Sequence, residues 1–247
     1  MAEGRVYGRN PVLALLRGSG RRADEIAVLA GGRGPLGEVV ALARRAGVKV
    51  SFRTRDQLTA MAGSPEHQGV VARVTAAEYV DLEDLLAAPV EGGEPPFYLV
   101  LDQIQDPRNL GAILRTAEAF GVHGVVIPKH HAVGLTDAAA RTAMGALERV
   151  PVARATNLVS ALETIKKTGT WVYGAAPGEG VAPWSADLRG PVCLVLGSEG
   201  EGLRPLVARA CDVVLAIPMA GVAESLNVAA AAAVLCYEVT RQRRQTA

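Results

Sequence analysis

Cysteine is scarce in this chain. Cys193, Cys211 and Cys236 are its three cysteines in 247 residues. Their number is odd, their spacing is wide, and each lies in or beside apolar sequence. That excludes a disulfide scaffold and reads as reduced core thiols of a cytoplasmic protein. No Cys/His group has zinc spacing, and His130-His131 alone would make a poor site, so no metal is expected. No apolar run is long enough to cross a bilayer. The opening MAEGRVYGRNP has no apolar signal-peptide core, so no membrane partner is expected. G-x-G-x-x-G is missing after the first strand of the part that follows the linker, at 98–101, and G-x-x-x-x-G-K-[ST] is missing throughout. This argues against a dinucleotide fold and a P-loop enzyme. Internal repeats and low-complexity tracts are also lacking.

What is present is 49% apolar residues, enough for a sizeable core in one large or two modest domains. The formal net charge of +1 hides an asymmetry. Residues 1–75 carry twelve Lys/Arg against six Asp/Glu, and residues 76–95 carry six acids and no bases. Residues 96–247 carry fourteen bases and thirteen acids. A basic N-terminal module suggests a polyanion partner. Ordinary surface charge with arginine preferred over lysine is the competing reading. The acidic stretch ends in Gly92-Gly93 and Pro95-Pro96 and reads as a flexible linker, with a short helix expected in Leu82–Ala87. The expected division is therefore 1–75, a linker over 76–95, and 96–247.

Helical and strand-like patterns alternate on both sides of the linker. The N-terminal part predicts helices near 10–16, 36–46 and 56–62 and strands near 26–30, 48–52 and 69–74. After the linker, apolar runs at 98–101, 124–127, 150–153, 171–174, 192–196 and 213–217 alternate with helices. The pattern predicts an α/β protein whose larger part is a parallel sheet covered on both faces.

Three stretches could carry chemistry. In LDQIQDPRNLGAILRTAEAFG, Asp106 can cap a helix that starts at Pro107, with Leu110, Ile113, Leu114 and Ala117 as its buried stripe. Arg108, Gly111, Arg115 and Glu118 fall on another face, and Asn109 lies about 120° round from Arg115. A capped surface helix explains the same pattern. In GSEGEG, Gly197 to Gly202, three glycines let the backbone approach a ligand, and Glu199 and Glu201 favour a hydroxyl, amine or cation over a phosphate. A solvated strand-to-helix turn is the plainer alternative. In IPMAGVAESLNVAAAAAVL, Ser225 is the expected cap of an Ala-rich helix, with Leu226 and Asn227 in its first turn. A capped core helix would look the same.

Taken together and in this order, the stretches resemble the three motifs of the SpoU/TrmH branch of the SPOUT class of RNA methyltransferases. YGRNPVLALLR and HQGVVARV resemble the small L30/L7Ae-like RNA-binding domain that precedes the catalytic domain in some members. The resemblance implies a C-terminal parallel sheet with a deep trefoil knot, a homodimer, and S-adenosylmethionine as cofactor. It implies methylation of a ribose 2′-hydroxyl in RNA, with a guanosine of 23S rRNA favoured over tRNA by the appended domain. Matched by position, Asn109, Arg115, Glu199, Ser225 and Asn227 are the implied catalytic residues. Leu196, Gly197, Gly202, Ile217, Met219 and Leu226 are implied to line the cofactor. A nicotinamide-dependent oxidoreductase and a non-catalytic RNA-binding protein are the rival classes. The missing glycine fingerprint argues against the first, and intact Asn109, Arg115 and Asn227 argue against the second.

Overall fold

In a computed structural model of the chain, residues 3–17, 23–32, 34–75, 78–178, 180–222 and 225–245 are described. They divide into two compact units, one formed by residues 1–78 with 135–149 and the other by 79–134 with 150–247.

The first unit holds β1 (Glu3–Tyr7), α1 (Arg9–Arg17), β2 (Ala23–Leu29), α2 (Pro35–Arg45), β3 (Lys49–Arg53), α3 (Arg55–Ala62) and β4 (Val70–Thr75). Its sheet has the order β1-β4-β2-β3. β2 and β3 run parallel, and β4 runs antiparallel to both β1 and β2. The sequence pattern did not reveal β1. Its EGRVY carries a glycine and an arginine, and it becomes a strand by pairing with β4, Val6 opposite Ala72. Val12 and Leu15 of α1 and Val39 and Ala43 of α2 bury one face of the sheet with Ile26, Val28, Val70 and Ala72. Leu58 and Ala62 of α3 cover Ala27 and Val71 on the other.

This unit also takes in a piece of the second half of the sequence. Helix α6 (Asp137–Ala143) and the 3-10 turn Ala146–Glu148 lie in the segment grouped with it. Arg141 donates to the hydroxyl of Tyr7 and sits over its ring at 5.4 Å. Gly145 is packed so tightly on Ala14 that a Cβ there would come within 2.3 Å of the Ala14 Cβ.

The second unit is a six-stranded sheet, every paired neighbour parallel. Its strands are β5 (Phe97–Leu101), β6 (Gly124–Pro128), β7 (Val152–Ala155), β8 (Trp171–Ala175), β9 (Val192–Leu196) and β10 (Val213–Leu215), in the order β10-β8-β9-β5-β6-β7. Every side chain of β5, β6 and β9 is buried, as a sheet covered on both faces requires. One face is covered by α4 (Leu82–Ala87), α7 (Leu158–Lys167) and α8 (Pro205–Arg209), packed on Tyr98, Val100, Val126 and Val195. On the other, α5 (Pro107–Ala119) meets β6 and α9 (Val228–Arg244) meets β9, and the two helices pack on each other.

The segment from Tyr79 on is not a flexible linker. Val80 bridges Ala153 in parallel, and Leu82 and Leu85 are buried in the core. Gly124 opens the space for this, since a Cβ there would lie 2.4 Å from Leu85 Cδ1. Burial of a leucine of this kind contributes roughly 1.5–3 kcal/mol, enough to hold a six-residue helix whose outer face is acidic. Residues 76 and 77 lie outside the described residues.

All three cysteines are free thiols. Burial pushes Cys236 up to about 12 and Cys211 up to about 11. Both remain thiols at neutral pH and pack as small apolar groups.

Candidate active site

The carboxyl ends of the parallel strands form one edge, which is where open α/β sheets bind ligands. β9 ends at Gly197, and the chain closes a small loop. Ser198 N donates to Gly202 O at 3.1 Å and Gly202 N donates to Ser198 O at 3.0 Å. Gly200 and Gly202 have φ of 102° and 68°, a region glycine enters without strain. Gly197 is required for another reason. A Cβ on it would stand 2.1 Å from the carbonyl carbon of Gly202.

Beside this loop lies a cavity of about 110 Å³. Leu196, Gly197, Gly202, Ile217, Met219 and Leu226 all line it, as do Ser198, Glu199 and Ser225. Sequence reasoning missed Ala175, Ala176 and Pro177, which enter from the end of β8, and Val228 and Ala231 from α9. The signal for the first three was the end of the apolar run at Trp171–Gly174, which reaches the same edge. Glu201 is exposed and is not part of the lining. The cavity thus combines apolar walls, a close glycine backbone and the carboxylate of Glu199.

A polar cluster stands at its rim. Asn227, rather than Ser225, caps α9, because its Oδ1 accepts from Ala229 N at 3.0 Å and Ala230 N at 3.4 Å. A serine two residues earlier sits in non-helical chain and cannot reach those amides. With Oδ1 so occupied, Nδ2 must point the other way. It donates to Asn109 Oδ1 at 3.1 Å and to Glu199 Oε1, so all four hydrogen-bonding positions of this amide are filled. Glu199 Oε1 also accepts from Val228 N at 3.4 Å. One residue from each of the three stretches meets here. Asn109 uses its oxygen on Asn227, and among the described residues its own Nδ2 is left as a donor for an incoming oxygen.

Arg115 is not in this cluster. It is exposed on α5, six residues beyond Asn109 and therefore about 9 Å further along the helix axis. Asp106 caps α5, its Oδ1 accepting from Arg108 N at 2.7 Å.

A match to the SpoU rRNA methylase family spans residues 96–237. The chain belongs to this family. A second match, to the RNA 2′-O ribose methyltransferase substrate-binding domain, spans residues 5–80. The SpoU chain is 40% identical over 243 residues to the 23S rRNA (guanosine-2′-O-)-methyltransferase RlmB of Shewanella oneidensis, covering 97% of each protein. It is 42% identical over 240 residues to RlmB of Ralstonia nicotianae, covering 96% of this chain and 95% of that one. Its structure resembles the SpoU methyltransferase AviRb of Streptomyces viridochromogenes, solved in complex with AdoMet. There the TM-score is 0.82 at 25% identity, over 98% of this chain and 91% of that one. An AdoMet-bound rRNA methyltransferase from Sinorhizobium meliloti aligns with a TM-score of 0.79 at 27% identity, over 97% and 87% of the two chains.

Within this SpoU fold one more pair fixes the site, and sequence reasoning missed it. Asp102, fully buried at the end of β5, accepts from Arg204 N at 2.9 Å and Arg204 Nε at 2.8 Å. Its own amide donates to Leu196 O at 2.7 Å. The residue that follows β5 therefore holds both ends of the glycine loop. The two partners are 102 positions apart, and neither belongs to a spacing pattern.

Proposed function

We propose that this chain transfers the methyl group of S-adenosylmethionine to the 2′-hydroxyl of a guanosine ribose in 23S rRNA. The observation that carries the reading is the Asn109–Asn227–Glu199 cluster at the mouth of a cavity lined from the second and third stretches. Likeness to RlmB proteins over almost the whole chain supports the substrate.

The cavity's lining fits the cofactor. Leu196, Ile217, Met219 and Leu226 offer apolar surface to an adenosine, and Gly197 and Gly202 let the backbone pass close to it. Glu199 favours a cation nearby. When bound, the cofactor supplies an activated methyl on a sulfonium and a neutral thioether as leaving group. The protein's part is to hold the ribose oxygen in line and stabilise it as its proton leaves. Asn109 Nδ2 and Ser225 Oγ orient the ribose, while Glu199 and Asn227 lock Asn109 in place. Arg115 presents a planar fork of donors, so its role is to hold the target phosphate and stabilise the developing alkoxide.

The reading extends to the assembly. Residues 1–75 form the RNA-binding module, 96–247 are catalytic with a trefoil knot, and the chain works in the cytoplasm as a homodimer. The exposed face of α9 supports the dimer. Val234 and Tyr237 are 42% and 57% exposed, and Tyr237 stacks edge-on to Phe120 at 6.4 Å. Sedimentation tests that part. Mapping 2′-O-methyls on total RNA with and without the chain tests the activity. A lost methyl in tRNA, with 23S rRNA unchanged, would replace the substrate and keep the chemistry.

A further inference from the structure

The cavity occupies one half of the strand edge, over β8, β9 and β10. The other half, over β5, β6 and β7, lies outside the lining of the cavity, and Arg204, Lys129 and His130 stand along it.

Arg204 stands at the join. Its Nε and backbone N are fixed on the two oxygens of Asp102, which is 0% exposed, while its own side chain is 42% exposed. Among the described residues the terminal nitrogens of its guanidinium have no partner, and they are left as paired donors. A guanidinium held at Nε by a buried carboxylate keeps its fork in one orientation, which suits a phosphate.

One strand away, β6 ends at Pro128 and leads into Lys129 and His130, both exposed. Their loop is tied down. Lys129 N donates to Ala155 O at 2.9 Å, and Lys129 O accepts from Arg154 at 3.3 Å. Arg154 lies over the Tyr79 ring at 4.5 Å. At the loop's far end, Val133 N donates to Ile104 O at 2.8 Å, in the stretch leading to α5. Arg204, tied to Asp102 at the end of β5, and Lys129 and His130, just past the end of β6, therefore lie at the ends of neighbouring strands, beside the cavity. The acids of this half are engaged locally, Asp102 by Arg204 and Asp106 by the first turn of α5.

We propose that Arg204, Lys129 and His130 grip the phosphodiester backbone of the RNA strand next to the methylated ribose, with Asp102 as the positioning residue for Arg204. The proposal rests on the methyltransferase reading for its substrate. It gives the sheet edge a task separate from the basic N-terminal unit, which is to seat the target strand against the cavity.

The test uses the full chain and in vitro transcribed 23S rRNA. Lys129→Ala/His130→Ala changes only exposed side chains, and Arg204→Gln keeps the backbone bond to Asp102. RNA affinity is measured against salt, with S-adenosylmethionine affinity as control. For single strands each lost phosphate contact lowers the slope of log affinity against log salt by about 0.7. The combined triple variant should therefore lose about 1.4 from its slope through Lys129 and Arg204. Its RNA KM should rise about 10-fold, and the Lys129→Ala/His130→Ala variant should keep cofactor affinity within twofold of wild type. An unchanged slope and RNA KM in the Lys129→Ala/His130→Ala variant would overturn the grip. A wild-type chain that binds rRNA but transfers no methyl would overturn the activity instead, and the salt slopes would still decide the grip.

Discussion

Replacing Gly197 by alanine tests the cavity most directly. The added Cβ would start 2.1 Å from the Gly202 carbonyl carbon and 2.4 Å from Leu203 N, where ordinary contact begins at 3.4 Å. These are backbone atoms and cannot rotate away, so the strands of the loop must part by about 1.3 Å. The Ser198–Gly202 bonds, 3.1 and 3.0 Å long, would then both stretch past bonding distance. Each is worth about 0.5–1.5 kcal/mol net, so the distortion costs about 1–3 kcal/mol. If the cofactor needs the closed loop, that cost reappears as a loss of affinity of about 5- to 150-fold. Calorimetry with S-adenosylmethionine reads the affinity, and a melting curve checks that the variant folds, with a drop of roughly 2–4 °C per kcal/mol. A folded variant whose affinity stays within twofold of wild type would refute the argument that this loop shapes the cofactor site.

Asn227→Ala should lose the cap of α9, about 1 kcal/mol of stability, and methyl transfer with it. Asn227→Ser should keep the cap yet still lose activity, and a fully active serine variant would show that the amide does no more than cap. Arg115→Ala should leave cofactor affinity intact and slow transfer by about 100-fold, as for loss of one transition-state donor. Arg115→Lys should not rescue it, because a point charge does not replace a planar fork, and single-turnover rates decide. His67 and His123 each accept a backbone N–H through Nδ1 at 3.0 Å, and burial lowers both below the ordinary histidine value of 6.5. Their stabilisation is present above that value. As the pH falls through it, the unfolded chain binds protons the folded chain refuses, and stability is lost. Melting temperature should fall from about pH 7 to about pH 5, and His67→Gln/His123→Gln should flatten that slope.

Much of the catalytic half was legible because its strands are continuous apolar runs and its helices have clear caps. Val192–Leu196 and Leu158–Lys167 sit where the pattern put them. The six residues that the family resemblance implies for the cofactor all line one cavity. Features that depend on distant pairing were hidden. β1 needs β4, and the Asp102–Arg204 tie joins residues with no pattern between them. The start of α9 was misjudged because serine and asparagine both cap well, and hydrogen-bond geometry alone chose Asn227. The acidic stretch looked like a linker because its charge is on the outside, whereas Leu82 and Leu85 face the sheet. Arg115 lies outside the lining of the cavity, so its role rests on the family resemblance alone.

The Arg141–Tyr7 contact spans 134 residues, and it makes the N-terminal unit discontinuous in sequence. On the ribosome that unit cannot be completed until residue 149 has been made. At about 5–20 residues per second this is some 7–30 s after synthesis starts. Until then the surface around Tyr7 and Ala14 waits without its cover. The same discontinuity governs engineering. Cutting away residues 1–75 leaves Ala139, Ala143 and Ala146, all buried in the whole chain, without the residues they pack on. A module swap between relatives would have to carry residues 135–149 along with the N-terminal residues.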